Sequence, residues 1–282
     1  MKLGLLTGFS EDMVRFAAEA GFECLEISGP PGEWLADLSQ AEKAKELLDE
    51  NGLVAASFLT GWPSIRSSKD ELSSHLDRLS KVMDICKLMG DTIITGAGPM
   101  GYDPEKSIEE NVASFKEVFS PVVELAEKKD VKLAFENWPG KGPFADGGSL
   151  AVTPETWEAM FDAVQSDHLG LEFDPSHLIW QWIDPLQAAR DFIGKIFIVH
   201  AKDTEIFWDR LRKRGAYQRG WWTYRLPGFA NFDWPKFFAL LLENGYDGNV
   251  IIEHEDPRFG GDRRKLGFQL SGNYLRRCMM KS

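Results

Sequence analysis

Short apolar runs alternate with amphipathic helical stretches eight times along the 282-residue chain. This alternation predicts an α/β protein, a single (β/α)8 TIM barrel over residues 1–282. No linker or change of composition divides the chain, which favours one domain. Four of the later apolar runs end in ionisable residues, as expected of barrel strands whose carboxyl ends form a site. A doubly wound open sheet is the alternative for the same alternation.

The predicted strands are short and rich in apolar and β-branched residues, which is the composition of buried parallel strands. They lie at 2–8, 24–28, 53–59, 92–97, 132–137, 169–178, 196–203 and 250–256. Helix-capping residues delimit the helices: Ser10 begins the first, which Gly21 ends, and Thr153 with Pro154 begins another. The helices lie at about 11–20, 39–50, 72–89, 105–129, 154–164, 184–192, 234–244 and 264–280.

The composition is that of a soluble globular protein, with 43% hydrophobic and 27% charged residues. The formal net charge of −12 repels the phosphates of nucleic acids, which argues against a general nucleic-acid-binding protein. A small neutral or metal-chelated substrate fits this charge better.

The three cysteines indicate a reducing compartment, because Cys24, Cys86 and Cys278 lie far apart and form no CxxC pair. The first apolar run is too short for a signal peptide, and no later run reaches membrane-spanning length. We therefore expect a cytoplasmic protein without membrane partners.

Four ionisable residues end four consecutive predicted strands: Glu136, Asp174, His200 and Glu253. Ionisable side chains are costly inside a sheet but useful at its rim, and the carboxyl ends of barrel strands converge. Three carboxylates and one imidazole form a ligand set for a hard divalent ion, with Mn²⁺ or Mg²⁺ favoured and Zn²⁺ or Co²⁺ possible.

Such a site suits proton transfer beside a carbonyl group. A divalent ion polarises the carbonyl and stabilises an enediolate, while carboxylates on either side of the sugar remove and return the proton. Glu136 and Glu253 come from strands that face each other across the barrel mouth, so we predict that they are the acid/base pair.

Each residue also has an ordinary structural interpretation. A lone acidic residue at a strand end is usually a solvated cap or a salt-bridge partner, so the prediction depends on the four residues together. His177 has three interpretations: a fifth ligand, a hydrogen-bond donor to substrate or a helix-entry residue. His254 alternates with Glu253 and is expected to pack behind the barrel.

At these positions the chain resembles the xylose isomerase-like sugar phosphate isomerase/epimerase family. The resemblance rests on FEN at Glu136, FDPSH at Asp174 and His177, VHAKD at His200, and IEHED at Glu253, with a family-like Glu26 in the second strand. It implies a TIM barrel in which Glu136, Asp174, His200 and Glu253 bind the metal, the two glutamates are the acid and base, and His177 contacts substrate. The other candidate substrate-binding residues are Lys202, Asp203, Arg225 and Trp138.

The same superfamily includes abasic-site endonucleases with a three-zinc cluster, which need further histidines on the third and fourth strands. The corresponding runs here, LVAASFL and TIITGA, contain none. A role in DNA repair is therefore not expected.

Residues 202–225 form a predicted long loop that is basic and aromatic within an acidic chain. It holds seven basic and three acidic residues, a net charge of +4. Its tryptophans and tyrosines are Trp208, Tyr217, Trp221, Trp222 and Tyr224. Sugar faces stack on such rings and arginine binds phosphate or carboxylate, which favours a lid over the mouth. The alternative is subunit packing in a homo-oligomer, because the same residue types dominate interfaces.

The sequence thus predicts a divalent-metal-dependent sugar isomerase or epimerase acting on a ketose or related keto-sugar. A metal-dependent lyase or dehydratase acting on keto-glycosides or keto-inositols is an alternative, because it would use the same metal and base. A non-catalytic sugar-binding or assembly subunit is a second alternative.

Overall fold

The computed structural model describes residues 1–140 and 142–279, and its main sheet is a closed barrel of eight parallel strands. The barrel strands are β1 (Lys2–Thr7), β2 (Cys24–Ile27), β3 (Val54–Leu59), β4 (Ile93–Ala97), β5 (Leu133–Glu136), β6 (Leu169–Phe173), β7 (Ile196–Ala201) and β10 (Asn249–Ile252). They pair in chain order, and β10 closes the sheet on β1, with Leu5 opposite Ile252. The predicted barrel is confirmed and the open sheet is excluded.

Helices surround the barrel, mostly where the periodicity of apolar residues predicted them. They are α1 (Glu11–Glu19), α2 (Gly32–Ala36), α3 (Leu38–Glu50), α4 (Lys69–Met89), α5 (Ile108–Lys129), α6 (Pro154–Ala163), α7 (Pro175–Ile179), α8 (Pro185–Asp191), α9 (Trp208–Arg214), α10 (Trp234–Glu243) and α11 (Arg264–Met279). Ser10 and Thr153 cap α1 and α6 as predicted. Among the described residues, no helix has both the length and the apolarity that a membrane span requires.

The barrel interior is filled below the site by a small apolar cluster distinct from the main core. Its buried members are Leu6, Cys24, Ala56, Ala134, Ile198 and Ile251. Six strands contribute one residue each, so the cluster lies on the barrel axis. Because side chains alternate along a strand, residues two positions after these members point along the same axis nearer the carboxyl ends. Glu136 and His200 are such residues.

All eight strands are shorter than predicted, the sixth and eighth by the most, and the reason for these two is visible in the sequence. The sixth ends at Phe173, because Asp174 caps α7 and Pro175 occupies its first turn. The eighth ends at Ile252, so Glu253 lies just beyond it.

The seventh predicted strand ends at Ala201, and the long loop predicted after it is an ordered hairpin. Its strands β8 (Asp203–Ile206) and β9 (Trp222–Arg225) pair antiparallel, with α9 between them. The alternating polar and apolar residues of DTEI and WTYR fit a two-stranded ribbon with one covered face.

Candidate metal centre and active site

Four side chains at the carboxyl ends of β5, β6, β7 and β10 meet on the barrel axis. They are the predicted set, Glu136, Asp174, His200 and Glu253, and one possible ligand atom from each lies within 4.8 Å of the others. Glu136, Asp174 and His200 are buried, whereas the Glu253 side chain is 16% exposed. The group is thus enclosed from below and reachable from the mouth.

Asp174 presents one carboxylate oxygen to the site while the other holds the chain in place. Its Oδ1 accepts a 2.7 Å hydrogen bond from the Ser176 amide and caps α7. The Asn137 side chain bonds both the amide and the carbonyl of Asp174, at 2.8 and 2.9 Å. Oδ2 has no hydrogen-bond partner among the described residues.

His200 lies between two pairs of carboxylates. Its Nε2 is 2.6 Å from Glu26 Oε2 and 2.9 Å from Glu172 Oε1, and the hydrogen bond goes to Glu26. Its Nδ1 is 3.2 Å from Glu253 Oε2 and 3.4 Å from Glu136 Oε1, and makes no hydrogen bond within the described ranges. An imidazole that donates through one nitrogen presents the other as a metal ligand.

The protonation of His200 follows from these neighbours. Burial lowers the pKa of His200, but the charges of Glu172, Glu26 and Glu253 raise it well above its ordinary value. A metal ion bound at Nδ1 therefore has to displace a proton.

The residues fit a divalent ion. His200 Nδ1 is a buried polar atom without a hydrogen bond in the described part of the chain, an arrangement that is costly unless another group satisfies it. Asp174 Oδ2 also makes no hydrogen bond there and is neutralised by the Lys202 ammonium, 3.1 Å away. With Glu136 and Glu253 they give an oxygen-rich set with one nitrogen, which suits Mn²⁺ or Mg²⁺ and also accepts Zn²⁺.

Lys202 lies within the carboxylate cluster. Its Nζ is 2.5 Å from Glu253 Oε2, 2.9 Å from Glu255 Oε2 and 3.1 Å from Asp174 Oδ2. Burial lowers the pKa of Lys202, yet the charges of Asp174, Glu253 and Glu136 raise it well above its ordinary value. The ammonium group therefore balances the negative charge, and it contacts oxygens that a metal ion would also use.

His177 connects the cluster to the hairpin. Its Nε2 is 3.0 Å from Glu136 Oε1 and 3.3 Å from Asp174 Oδ2, and its Nδ1 is 2.8 Å from the Tyr224 hydroxyl. The residue belongs to α7 and is fully buried. This position beside Glu136 favours a substrate-contacting or proton-handling role over that of a mere helix-entry residue.

The two glutamates predicted as acid and base are held ionised. Burial raises the pKa of Glu136, but the hydrogen bond from His177, the neighbouring imidazole of His200 and the charge of Lys202 bring it well below its ordinary value. Burial raises the pKa of Glu253 as well, but the charge of Lys202 lowers it to about 2. Both side chains can thus accept protons near neutral pH.

Two predicted substrate contacts, Asp203 and Arg225, are held by polar groups of the protein. The Asp203 carboxylate accepts hydrogen bonds from the amides of Thr204 and Phe232 and is fully buried. The Arg225 guanidinium is buried and paired with Glu205 at 2.7 Å and with Asp256. In the substrate-free protein these polar groups stabilise the hairpin and its neighbouring loops, and a substrate contact by Asp203 or Arg225 stays a prediction.

Glu172 of β6, two residues before Asp174, lies in the cluster although the strand-end pattern did not predict it. Glu172 and Glu136 are register partners on adjacent strands, so both point to the axis. Burial and the charge of Glu26 raise the pKa of Glu172 well above its ordinary value. The sequence did contain a signal for this residue: it is acidic within an apolar strand, and its position two residues before Asp174 puts it on the same side of the strand.

Two other predictions concern residues beside the site. His254 packs edge to face on Phe268 of α11, with ring centroids 5.2 Å apart, behind the barrel as expected. Trp138 is half-buried and lines a pocket at the mouth.

Comparison with known proteins agrees with this architecture. An inosose dehydratase of Clostridium tetani (strain Massachusetts / E88) is 27% identical over 283 residues, covering 91% of each chain. The solved structure of an IolI protein with a bound zinc atom superposes with a TM-score of 0.76 at 19% identity, covering 100% of this chain and 99% of that one. The structure of YcjR from E. coli, a 3-keto-D-glucoside 4-epimerase, gives a TM-score of 0.69 at 19% identity, with 99% of both chains covered.

The two structural likenesses establish the fold alone. The family model of the xylose isomerase-like TIM barrel, in contrast, matches residues 14–278, which includes every residue of the cluster. The chain therefore belongs to the xylose isomerase-like TIM barrel family, a family of enzymes.

Proposed function

We propose that the protein is a divalent-metal-dependent isomerase or epimerase that moves a proton beside the carbonyl of a ketose or related keto-sugar. The observation that carries the proposal is the convergence of Glu136, Asp174, His200 and Glu253 within 4.8 Å. The bound ion would supply charge stabilisation for the substrate carbonyl oxygen. Glu136, Asp174, His200 and Glu253 would hold it.

In this proposal the protein's own residues carry the proton. Glu136, ionised and fixed by His177, takes the proton from the carbon beside the carbonyl. Glu253, on the other side of the substrate, would return a proton that it takes up from solvent, because its side chain is 16% exposed. Glu136 would release the proton that it removed to solvent before the next turnover, and Lys202 would remain an ammonium group beside Glu253. His177 would keep Glu136 oriented, and the Tyr224 hydroxyl would contact a substrate hydroxyl.

A metal-dependent dehydratase is the second candidate, and the likeness to an inosose dehydratase over 91% of both chains favours it. The proton abstraction by Glu136 would be the same. The reactions differ in the next step, because a dehydratase expels a β-hydroxyl group as water while an epimerase returns the proton to carbon.

Exchange of substrate hydrogen in D₂O tests the shared step. We expect the manganese-loaded protein to incorporate deuterium beside the carbonyl of at least one substrate in a panel of ketoses, keto-glycosides and keto-inositols. Glu136→Gln should slow this exchange at least about 100-fold, the scale of lost acid/base catalysis. Metal content is measured in the same samples, so that loss of the base is separated from loss of the ion.

Glu255→Gln is the matched control, because Glu255 also contacts Lys202 but is not one of the four converging groups. The product mass separates the candidates: loss of water identifies a dehydratase, and an unchanged mass an isomerase or epimerase. Metal binding without exchange on the whole panel would instead favour a non-catalytic sugar-binding protein.

A further inference from the structure

An aromatic pocket adjoins the carboxylate cluster at the barrel mouth. Its volume is about 620 Å³. We define the aromatic shelf as four half-buried residues that line this pocket: Trp138, Trp180, Trp222 and Tyr224. The proposed proton transfer uses none of the three tryptophans.

The shelf is built from three separate segments, two of which pack on each other. Trp180 follows α7, and Trp222 begins β9 of the hairpin. Their rings are stacked, with centroids 4.8 Å apart and planes 4° from parallel. Trp222 also packs on Tyr224, at 4.9 Å between centroids. Contacts between rings from distant parts of the chain make this a preformed surface.

The shelf is continuous with the candidate active site. The Tyr224 hydroxyl is 2.8 Å from His177 Nδ1, and the other nitrogen of that imidazole is 3.0 Å from Glu136. The Lys202 ammonium lies 4.5 Å from the centroid of the Tyr224 ring. Of the described side chains, only those of Tyr224 and His177 therefore separate the pocket from Glu136, so a two-ring molecule that reacts beside Glu136 would reach the tryptophans.

We propose that the shelf is a subsite for the second ring of a glycosidic substrate, either the aglycone or a second sugar. The proposal rests on the proposed function, because it extends the same substrate site. Pockets of about 300–1,000 Å³ accommodate ligands larger than one sugar ring. Flat apolar ring faces stack on tryptophan, and Arg219 and Tyr217 at the outer edge of the pocket can contact polar substituents of that ring.

Equilibrium binding of glycosides that lack the keto group tests the subsite without any turnover. Binding to the manganese-loaded protein is measured by calorimetry for methyl glucoside, phenyl glucoside and cellobiose. We expect phenyl glucoside, cellobiose or both to bind about 10-fold more tightly than methyl glucoside, since ring stacking contributes about 0.5–1.5 kcal/mol beyond the area buried. A gain for phenyl glucoside alone identifies an aromatic aglycone, and a gain for cellobiose alone a second sugar.

Trp222→Ala should remove this preference while leaving the affinity for methyl glucoside nearly unchanged. Trp208→Ala is the matched control, because Trp208 lies on the same hairpin, is 46% exposed and does not line the shelf pocket. Trp138→Ala, from the loop after β5, repeats the test without altering the hairpin.

Equal affinities for all three glycosides would overturn the proposal. So would a preference for the two-ring glycosides that survives both Trp222→Ala and Trp138→Ala, or one that Trp208→Ala removes to the same extent. Deuterium exchange would then still decide the proposed function. If the protein binds the two-ring glycosides more tightly but exchanges no substrate hydrogen, the subsite proposal stands and the isomerase proposal is wrong.

Discussion

Glu26 of β2 and His200 of β7 are joined by a hydrogen bond of 2.6 Å across the barrel interior, from Nε2 to Oε2. Thr95 of β4 donates to the other oxygen of Glu26, so the carboxylate is fixed on both sides. The bond aims His200 Nδ1 at Glu136 and Glu253. Glu26 is therefore the residue that orients the only nitrogen among the four proposed ligands.

We predict that Glu26→Gln weakens manganese binding by about 10- to 100-fold, the usual effect of removing a partner of a metal-bound imidazole. Competition with a chromophoric chelator measures the dissociation constant. Glu19→Gln, on the exposed side of α1, is the control and should bind like the wild type. An unchanged dissociation constant for Mn²⁺ in Glu26→Gln would mean that His200 is not a ligand, or that it does not need the hydrogen bond to Glu26.

The buried ammonium of Lys202 leads to a second prediction. Lys202→Met leaves Asp174, Glu253 and Glu255 without their cation, so the metal-free protein should lose about 3–5 kcal/mol of unfolding free energy. Mn²⁺ should recover more of that stability in the variant than it adds to the wild type, because a bound ion replaces the lost charge.

Urea unfolding with and without Mn²⁺ measures both effects. Lys213→Met, on the exposed α9, serves as the control. The interpretation fails if metal-free Lys202→Met is as stable as the wild type, or if Mn²⁺ stabilises both proteins equally.

Asp203 gives a pH dependence of stability. Burial raises the pKa of Asp203 from 3.8 to about 7, so the folded protein binds this proton more tightly than the unfolded chain. The stabilisation is complete below the unfolded pKa and is lost as the pH rises toward 7. Between about pH 4 and 7 the wild type should lose about 1.4 kcal/mol per pH unit more than Asp203→Asn does.

Urea unfolding of both proteins at several pH values measures this difference in slope. The comparison cancels the other titrating groups, and it does not require the two proteins to be equally stable at any one pH. Parallel curves would show that Asp203 does not hold its proton in the folded state.

The barrel and the four converging groups could be predicted from the sequence because both depend on periodicity. Eight repeats of strand and helix leave little choice of fold, and the ends of parallel barrel strands must meet. Predicting the convergence of the four side chains required only this rule and the location of the strands. The four are Glu136, Asp174, His200 and Glu253.

The hairpin and its contacts could not be predicted in the same way. Whether Arg225 faces substrate or pairs with Glu205 and Asp256 depends on how residues 202–225 fold over the mouth, and no local pattern determines that. The position of Lys202 likewise depends on carboxylates from three different strand ends.

The central claim is that a divalent ion binds among these four side chains. Metal analysis of the purified protein after equilibration with Mn²⁺, beside Asp174→Asn, tests it most directly. Asparagine keeps an oxygen that caps α7 through the Ser176 amide but removes the anionic oxygen facing the site. We predict about one ion per wild-type chain and a loss of most of it in the variant, with unchanged circular dichroism. Equal metal content in the two proteins, or no ion in the wild type, would contradict the account.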